Sequence, residues 1–169
     1  GVNYSTTVFS SYPDQVIAVR ISADKPRSVS FTASLNRPSK VNVYTAGNDV
    51  LVMEGRTNDF ESVKGDLLRF ETRVKIIPSG GRVAAADTVL NVSDADNVTI
   101  YISIGTNFKK YNDLGGDASQ KADGYLREVV KKDFSRVIED HVADYRKFFN
   151  RVTLDLGITE AAGKPTDQR

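Results

Sequence analysis

His141 and the carboxylates Glu139, Asp140 and Asp144 are the side chains whose type and spacing come nearest to acid–base chemistry in this chain. A hydrolase needs a positioned acid with a partner base or nucleophile. These three acids instead share one helical stretch with Arg136, Arg146 and Lys147, so they read as a paired, solvated face. His141 is the single histidine and there is no cysteine. A thiolate nucleophile, a disulfide and a zinc centre rich in cysteine or histidine are therefore excluded, and a Ser-His-Asp triad would have to use His141 itself. That residue falls on an apolar stripe with Val137 and Tyr145. It reads as a packed histidine whose ring nitrogens meet a backbone or carboxylate partner, with general-base work as the rival.

Asp113, Asp117 and Asp123 surround Gly115-Gly116, an oxygen-rich stretch of the kind calcium favours, but the spacing fits no EF-hand and a plain loop is the better reading. Ser79-Gly80-Gly81 lacks the lysine-serine ending of a phosphate loop and leads into a strand rather than a helix, so it reads as a hairpin turn. Asn3-Tyr4-Ser5, Asn91-Val92-Ser93 and Asn97-Val98-Thr99 match the glycosylation triplet, which recurs by chance in a chain rich in Asn, Ser and Thr. Tyr12, Tyr44, Tyr101 and Phe60 are candidates for stacking on sugars where they share a solvated face; core or cross-strand pairing is the competing role. No catalytic, cofactor-binding or metal-ligating residue is assigned, and no cofactor is expected.

The elements that would position these residues follow from composition and period. The 169 residues, 40% hydrophobic and 27% charged, suit one globular domain with a real core. Twenty-three basic residues against twenty-two acidic ones leave a net charge of +1, too little to attract a polyanion, so nucleic acid is not an expected partner. Arg69, Glu71, Arg73 and Lys75 alternate along one strand and read as its solvated face. No apolar run reaches the roughly 20 residues a membrane helix needs, so no membrane partner is expected either. Gly1-Val2, without an initiating methionine, reads as a processed or excised start.

Residues 4–11 are polar and β-branched and run into the turn Tyr12-Pro13-Asp14. Residues 16–23 are apolar on both faces, as in a central strand. Val29, Phe31, Ala33 and Leu35 alternate with Ser30, Thr32 and Ser34, which predicts a half-buried strand. Short strands follow near Val41-Val43 and over 50–54. A polar stretch over 55–65 precedes two long strands, 67–77 and 82–92, joined as a hairpin through 78–81, and residues 98–104 complete the set. Short strands with turns and no intervening helix argue for an antiparallel β-sandwich.

Beyond residue 110 the period changes. Ala122, Tyr125, Leu126, Val129 and Val130, then Val137, Ile138, His141, Val142, Tyr145, Phe148 and Phe149, recur at helical spacing. One or two amphipathic helices are predicted, broken near Asp133, with Asp133 or Ser135 as N-cap. Residues 152–157 alternate like a short terminal strand, and 159–169 read as a polar linker from which the chain continues. The organisation is thus a mainly β sandwich portion, 1–110; a loop and helical linker with a terminal strand, 111–157; and a polar tail, 158–169.

The order of motifs resembles the later part of the N-terminal domain of glycoside hydrolase family 95, whose members are mainly α-L-fucosidases. The residues that carry the resemblance are Val8-Phe9-Ser10-Ser11-Tyr12-Pro13-Asp14-Gln15-Val16, Ser79-Gly80-Gly81, Asp94-Ala95-Asp96-Asn97-Val98 and Thr106-Asn107-Phe108. Further along stand His141, Asp144-Tyr145, Phe149, Arg151-Val152, Leu154-Asp155-Leu156-Gly157 and Pro165-Thr166-Asp167. Thr6-Thr7 departs from the Arg-Glu that family members often carry.

The resemblance implies part of a supersandwich, an inverting parent enzyme, and an (α/α)6 catalytic barrel beyond Arg169 against which this region packs. No catalytic residue transfers to this chain, which alone is expected to be inactive. Residues 106–117 are expected to border the sugar cleft, with a fucosylated glycan as a possible partner. The compartment is not fixed by composition; the periplasm or extracellular space is favoured for the parent. A free-standing carbohydrate-binding or protein-interaction sandwich is the alternative function, and uncovered sheet edges would let the isolated piece self-associate.

Overall fold

The computed structural model describes residues 1–38, 41–57, 68–155 and 157–168. Among these, β1 (Tyr4–Ser11), β2 (Val16–Ala23), β9 (Asn97–Thr106), β6 (Arg69–Ser79), β5 (Val50–Arg56) and β4 (Val41–Ala46) form a six-stranded antiparallel sheet in that spatial order. A smaller sheet orders β3 (Val29–Ser34), β8 (Val89–Ala95) and β7 (Arg82–Ala86). Helices α1 (Ala118–Val129) and α2 (Phe134–Phe149) follow, then single 3-10 turns at Glu160–Gly163 and Thr166–Gln168. The mainly β, antiparallel sandwich followed by two amphipathic helices is the expected fold class. Phe60, Leu67, Leu156 and most of the 55–65 stretch lie outside the described residues.

The two faces of the large sheet are buried in different ways. One face meets the small sheet. Leu51, Ile76, Leu90 and Val98 are fully buried there, with Val29, Val74 and Val92 nearly so. Truncating any of the larger ones to alanine costs about 2–5 kcal/mol, because the cavity adds to the lost transfer energy. The opposite face carries Val16, Ala18 and Tyr101, and the helices cover it with Leu126, Val129 and Val137.

The hairpin predicted between 67–77 and 82–92 does not form. β6 pairs with β9 and β5, and the chain crosses at Gly80-Gly81 into the small sheet. There the segment 82–92 folds back at Asp87-Thr88, with Asp87 at φ 56°, so that β7 pairs with β8. Turn chemistry is the same for a hairpin and for a change of sheet, which is why the local sequence does not separate them. Gly80 and Gly81 have φ of 66° and 60°. A Cβ on Gly81 would run into the backbone of Ser93, Asp94 and Ala95, so only glycine allows the crossing to pass β8 this closely.

The strand predicted over 152–157 is absent from its described residues. Val152 and Leu154 are exposed there, and no described strand lies alongside to take up their backbone groups. Alternation without a neighbouring edge does not make a strand.

Candidate functional site

Helix α1 sits directly on the large sheet, and the residues beneath it decide what the helix face can present. Gly105 allows this approach. A Cβ there would penetrate the carbonyl oxygen of Ala118 and crowd the amide of Ala122. The buried Ser103 hydroxyl donates to the Ala122 carbonyl at 2.8 Å. Asp117 starts the helix, its carboxylate accepting from the Gln120 N–H at 2.9 Å, as an N-cap must to satisfy an otherwise orphaned donor.

The charges expected to form a solvated strand face lie partly under this helix. Glu71 is 3% exposed. Its carboxylate pairs with the Arg73 guanidinium, which also pairs with Asp123 and donates to Ser119 at 3.1 Å, both on α1. Arg127 joins Asp123 at 3.0 Å. The period-2 pattern places Glu71 and Arg73 on one face correctly, but what covers that face is set by a helix some fifty residues away. Lys75, further along, pairs with Asp49 at 2.6 Å.

Residues 107–116 leave β9 and return to α1 as a closed loop. Asn107, largely buried, accepts from the Arg69 N–H at 2.8 Å and donates to the Leu114 carbonyl at 2.9 Å. The Lys121 ammonium reaches the carbonyls of Thr106 and Phe108 at 2.9 and 2.8 Å. Neither anchor is visible in local sequence, although Asn107 belongs to the Thr106-Asn107-Phe108 motif.

Between this loop, the start of α1 and strands β4, β5 and β6 lies a groove of about 1120 Å³, lined by Asn42, Glu54, Arg69, Phe70, Glu71 and Asp117 among others. Register places Glu54 directly opposite Glu71, and Asn42 opposite Glu54. This juxtaposition of two carboxylates escaped the sequence reading, because the pairing of 54 with 71 appears only once β5 and β6 are aligned. Glu71 is committed to Arg73, Asp117 caps α1, and Glu54 accepts from the Asn42 amide at 3.2 Å. Burial, with Glu54 and Glu71 nearby, raises the Tyr44 phenol above its usual range. Such a lining offers hydrogen-bond donors and acceptors and charges of both signs.

The remaining sequence candidates are dispersed. Asp113 accepts from the Gly115 N–H at 2.8 Å while Asp117 caps a helix and Asp123 pairs with arginines, so each of these three acids has a structural partner. Among the described residues no group of three or more His, Asp or Glu side chains is placed to hold a metal ion. His141 stacks on Phe9, ring centroids 4.9 Å apart, in a series running from Phe134 to Tyr145 and Phe149. Among the described residues its ring is held by that stacking rather than by the hydrogen bond expected of it. Asp140 and Lys132 join Asp14, as described below, and Asp144 pairs with Lys147. Of the aromatic candidates, Tyr101 is buried under α1 at 2% exposure, whereas Tyr12 and Tyr44 are exposed on separate parts of the surface. Burial raises the Tyr101 phenol also.

Fold and site together define a β-sandwich module capped by helices, with a surface groove beside the start of α1. The family model described as the N-terminal domain of glycosyl hydrolase family 65 matches residues 1–111, and the chain belongs to that family. Among curated proteins it is 28% identical over 181 residues to alpha-L-fucosidase 2 of Arabidopsis thaliana, covering 92% of this chain and 21% of the relative. The chain therefore spans about a fifth of that relative's length. Among solved structures it is similar to a protein assigned as a kojibiose phosphorylase, from the human microbiome. The TM-score is 0.52 at 11% identity over 88% of this chain and 22% of the other, a likeness of fold. The motifs resemble family 95 and the matched domain is described under family 65. Their common content is an N-terminal domain of glycoside-hydrolase-related enzymes.

Proposed function

We propose that this chain is the accessory sandwich region of a family 95 type glycoside hydrolase acting on α-L-fucosides. Inverting hydrolysis is carried out by an (α/α)6 barrel elsewhere in the parent, and this chain supplies no catalytic group. The observation that carries the reading is the 28% identity to a fucosidase over 92% of the chain. It is supported by the structural partners of Glu54, Glu71 and Asp117, the carboxylates that line the groove among the described residues. The outward face of α2 is the surface on which the barrel packs: Tyr145, Phe148 and Phe149, with Tyr12, line a shallow apolar pocket of about 620 Å³. The groove beside residues 107–116 borders the sugar cleft.

The test compares the chain with its parent enzyme on an aryl α-L-fucoside. The parent turns over and releases β-L-fucose first, seen by NMR, while the chain is inactive. Turnover by the chain approaching that of the parent would sink the proposal, and first release of the α-anomer would remove the inverting mechanism.

A further inference from the structure

The loop 107–116 is braced more heavily than a connection between a strand and a helix requires. Its ends meet through the Gly116 N–H and the Asn107 carbonyl at 2.9 Å. A Cβ on Gly116 would press into the Asn107 backbone, so the closure is as tight as glycine permits. Asn107 and Lys121 hold it from below, as described above. At its tip, Lys110 and Asp113 exchange backbone hydrogen bonds of 3.2 and 3.0 Å, which fixes Tyr111 and Asn112 in the turn between them. Yet what this frame presents is apolar surface in water: Tyr111 is 90% exposed and Phe108 48%.

Ordering a loop costs conformational entropy, and neither ring adds to the sandwich core. A ring carried into solvent on a backbone turn fixed in this way is open to a ligand with an apolar face and a polar rim. The charges nearby narrow the class. Lys109 and Lys110 are balanced by Asp113 and Asp117, which removes the field a polyanion would need. The groove that the base of the loop lines with Asn107, Gly115 and Gly116 is also polar, with Asn42, Glu54, Arg69 and Asp117 around it; the carboxylates there keep oxygen lone pairs beyond their structural bonds. A pyranose, with a C–H face and a rim of uncharged hydroxyls, matches both parts.

We infer that Tyr111, presented by the closed loop 107–116, is the stacking platform of a non-catalytic glycan-binding site carried by this chain itself. The inference rests on the reading that the parent acts on sugars and adds the residue that contacts them. Its test is titration of the isotope-labelled chain with methyl α-L-fucopyranoside and, separately, methyl α-D-glucopyranoside, followed by amide NMR. Saturable shifts centred on 107–116 are expected, with millimolar affinity for at least one glycoside. Tyr111→Ala weakens binding by about five- to tenfold and Tyr111→Phe, which keeps the ring, by less than about twofold. Because Tyr111 is exposed, melting of each variant at the wild-type temperature confirms that only the contact has changed.

The site is refuted if neither glycoside shifts this loop, if the shifts centre on another surface, or if Tyr111→Ala binds as well as wild type. A silent loop that gains hydrogen-exchange protection in the parent enzyme would assign it to a protein contact instead and equally overturn the proposal. Parent turnover with a silent loop leaves the accessory reading intact, whereas fucoside turnover by the chain removes that reading and leaves loop binding to be judged on its own shifts.

Discussion

Helices α1 and α2 have the same kind of amphipathic sequence and opposite situations. α1 buries Ala122, Leu126 and Val129 on the large sheet, accepts the Ser103 hydroxyl, and is tied to β6 through Arg73 and Asp123. α2 buries only Val137 and lies chiefly along β1, where Phe9 stacks on His141 and Phe134. Tyr145, Phe148 and Phe149 stay more than half exposed. An apolar stripe on a helix therefore states that a face must be covered and leaves open by what. For α1 the cover is the sheet of this chain. For the second half of α2 the described residues provide none.

The contrast is broken most severely at Gly105. Replacing it with valine places a branched side chain against the Ala118 carbonyl, so that α1 must lift from the sheet. The expected loss is about 3 kcal/mol or more, from overpacking together with lost burial of Leu126 and Val129. Urea unfolding measures it, and a variant within about 0.5 kcal/mol of wild type would show that α1 is not seated this closely. Arg73→Leu comes next. It leaves the buried Glu71 carboxylate without its cation and cuts the link to Asp123, at a cost of about 2–3 kcal/mol. Pairing the change with Glu71→Leu should recover part of that loss, since two apolar groups remove the stranded charge.

The junction between the helices gives a smaller, pH-dependent effect. Lys132 lies between the buried Asp14, at 2.7 Å, and Asp140, at 2.9 Å, while the Ser11 hydroxyl donates to Asp14 at 2.7 Å. Hydrogen bonds to Asp14 and Asp140 raise the Lys132 ammonium above the ordinary lysine range, and the bond from Lys132, then the nearby Arg136, lowers the Asp140 carboxyl. The signs differ. Asp140 favours the folded state above its unfolded pKa, near 4 for an ordinary aspartate, and that contribution disappears as pH falls through the lower folded value. Lys132 favours it below the unfolded lysine value, near 10.4, and the contribution disappears as pH rises through the higher folded one. Lys132→Met should cost about 1–2 kcal/mol at neutral pH by leaving Asp14 without its cation. It should also flatten the stability profile at both extremes. An unchanged profile would mean the bridge does not persist in solution.

The contrast also marks what the sequence could and could not reveal. The alternation at Val29, Phe31 and Ala33, the stripes of the two helices and the break at Asp133 were legible because each is a local period imposed by one element. Asp133 does start α2, its carbonyl accepting the Val137 N–H, although its side chain makes no capping bond. Three features were not legible, each for a non-local reason. The fate of Glu71 and Arg73 depends on a distant helix. The chain's passage at Gly80-Gly81 depends on which strand neighbours β6. The groove depends on the register that sets Glu54 against Glu71 and on Asn107 and Lys121 closing the loop behind it. A single sequence states faces and turns; partners across a sheet require the sheet.

The mildest substitution asks what covers α2. Phe148→Ser with Phe149→Ser alters side chains that are each 63% exposed, so unfolding free energy should move by no more than about 0.5 kcal/mol. Association should respond instead. An uncovered patch containing Tyr12, Tyr145, Phe148 and Phe149 can hide its surface against a second copy, so sedimentation should show concentration-dependent self-association of the chain that the double variant loses. In the parent enzyme, where the catalytic barrel is proposed to take that place, the same double variant should lower the melting temperature. A chain that stays monomeric with and without the substitution, in a parent indifferent to it, would show that the apolar end of α2 is a tolerated surface rather than an interface. The contrast between the helices would then reduce to how deeply each is seated.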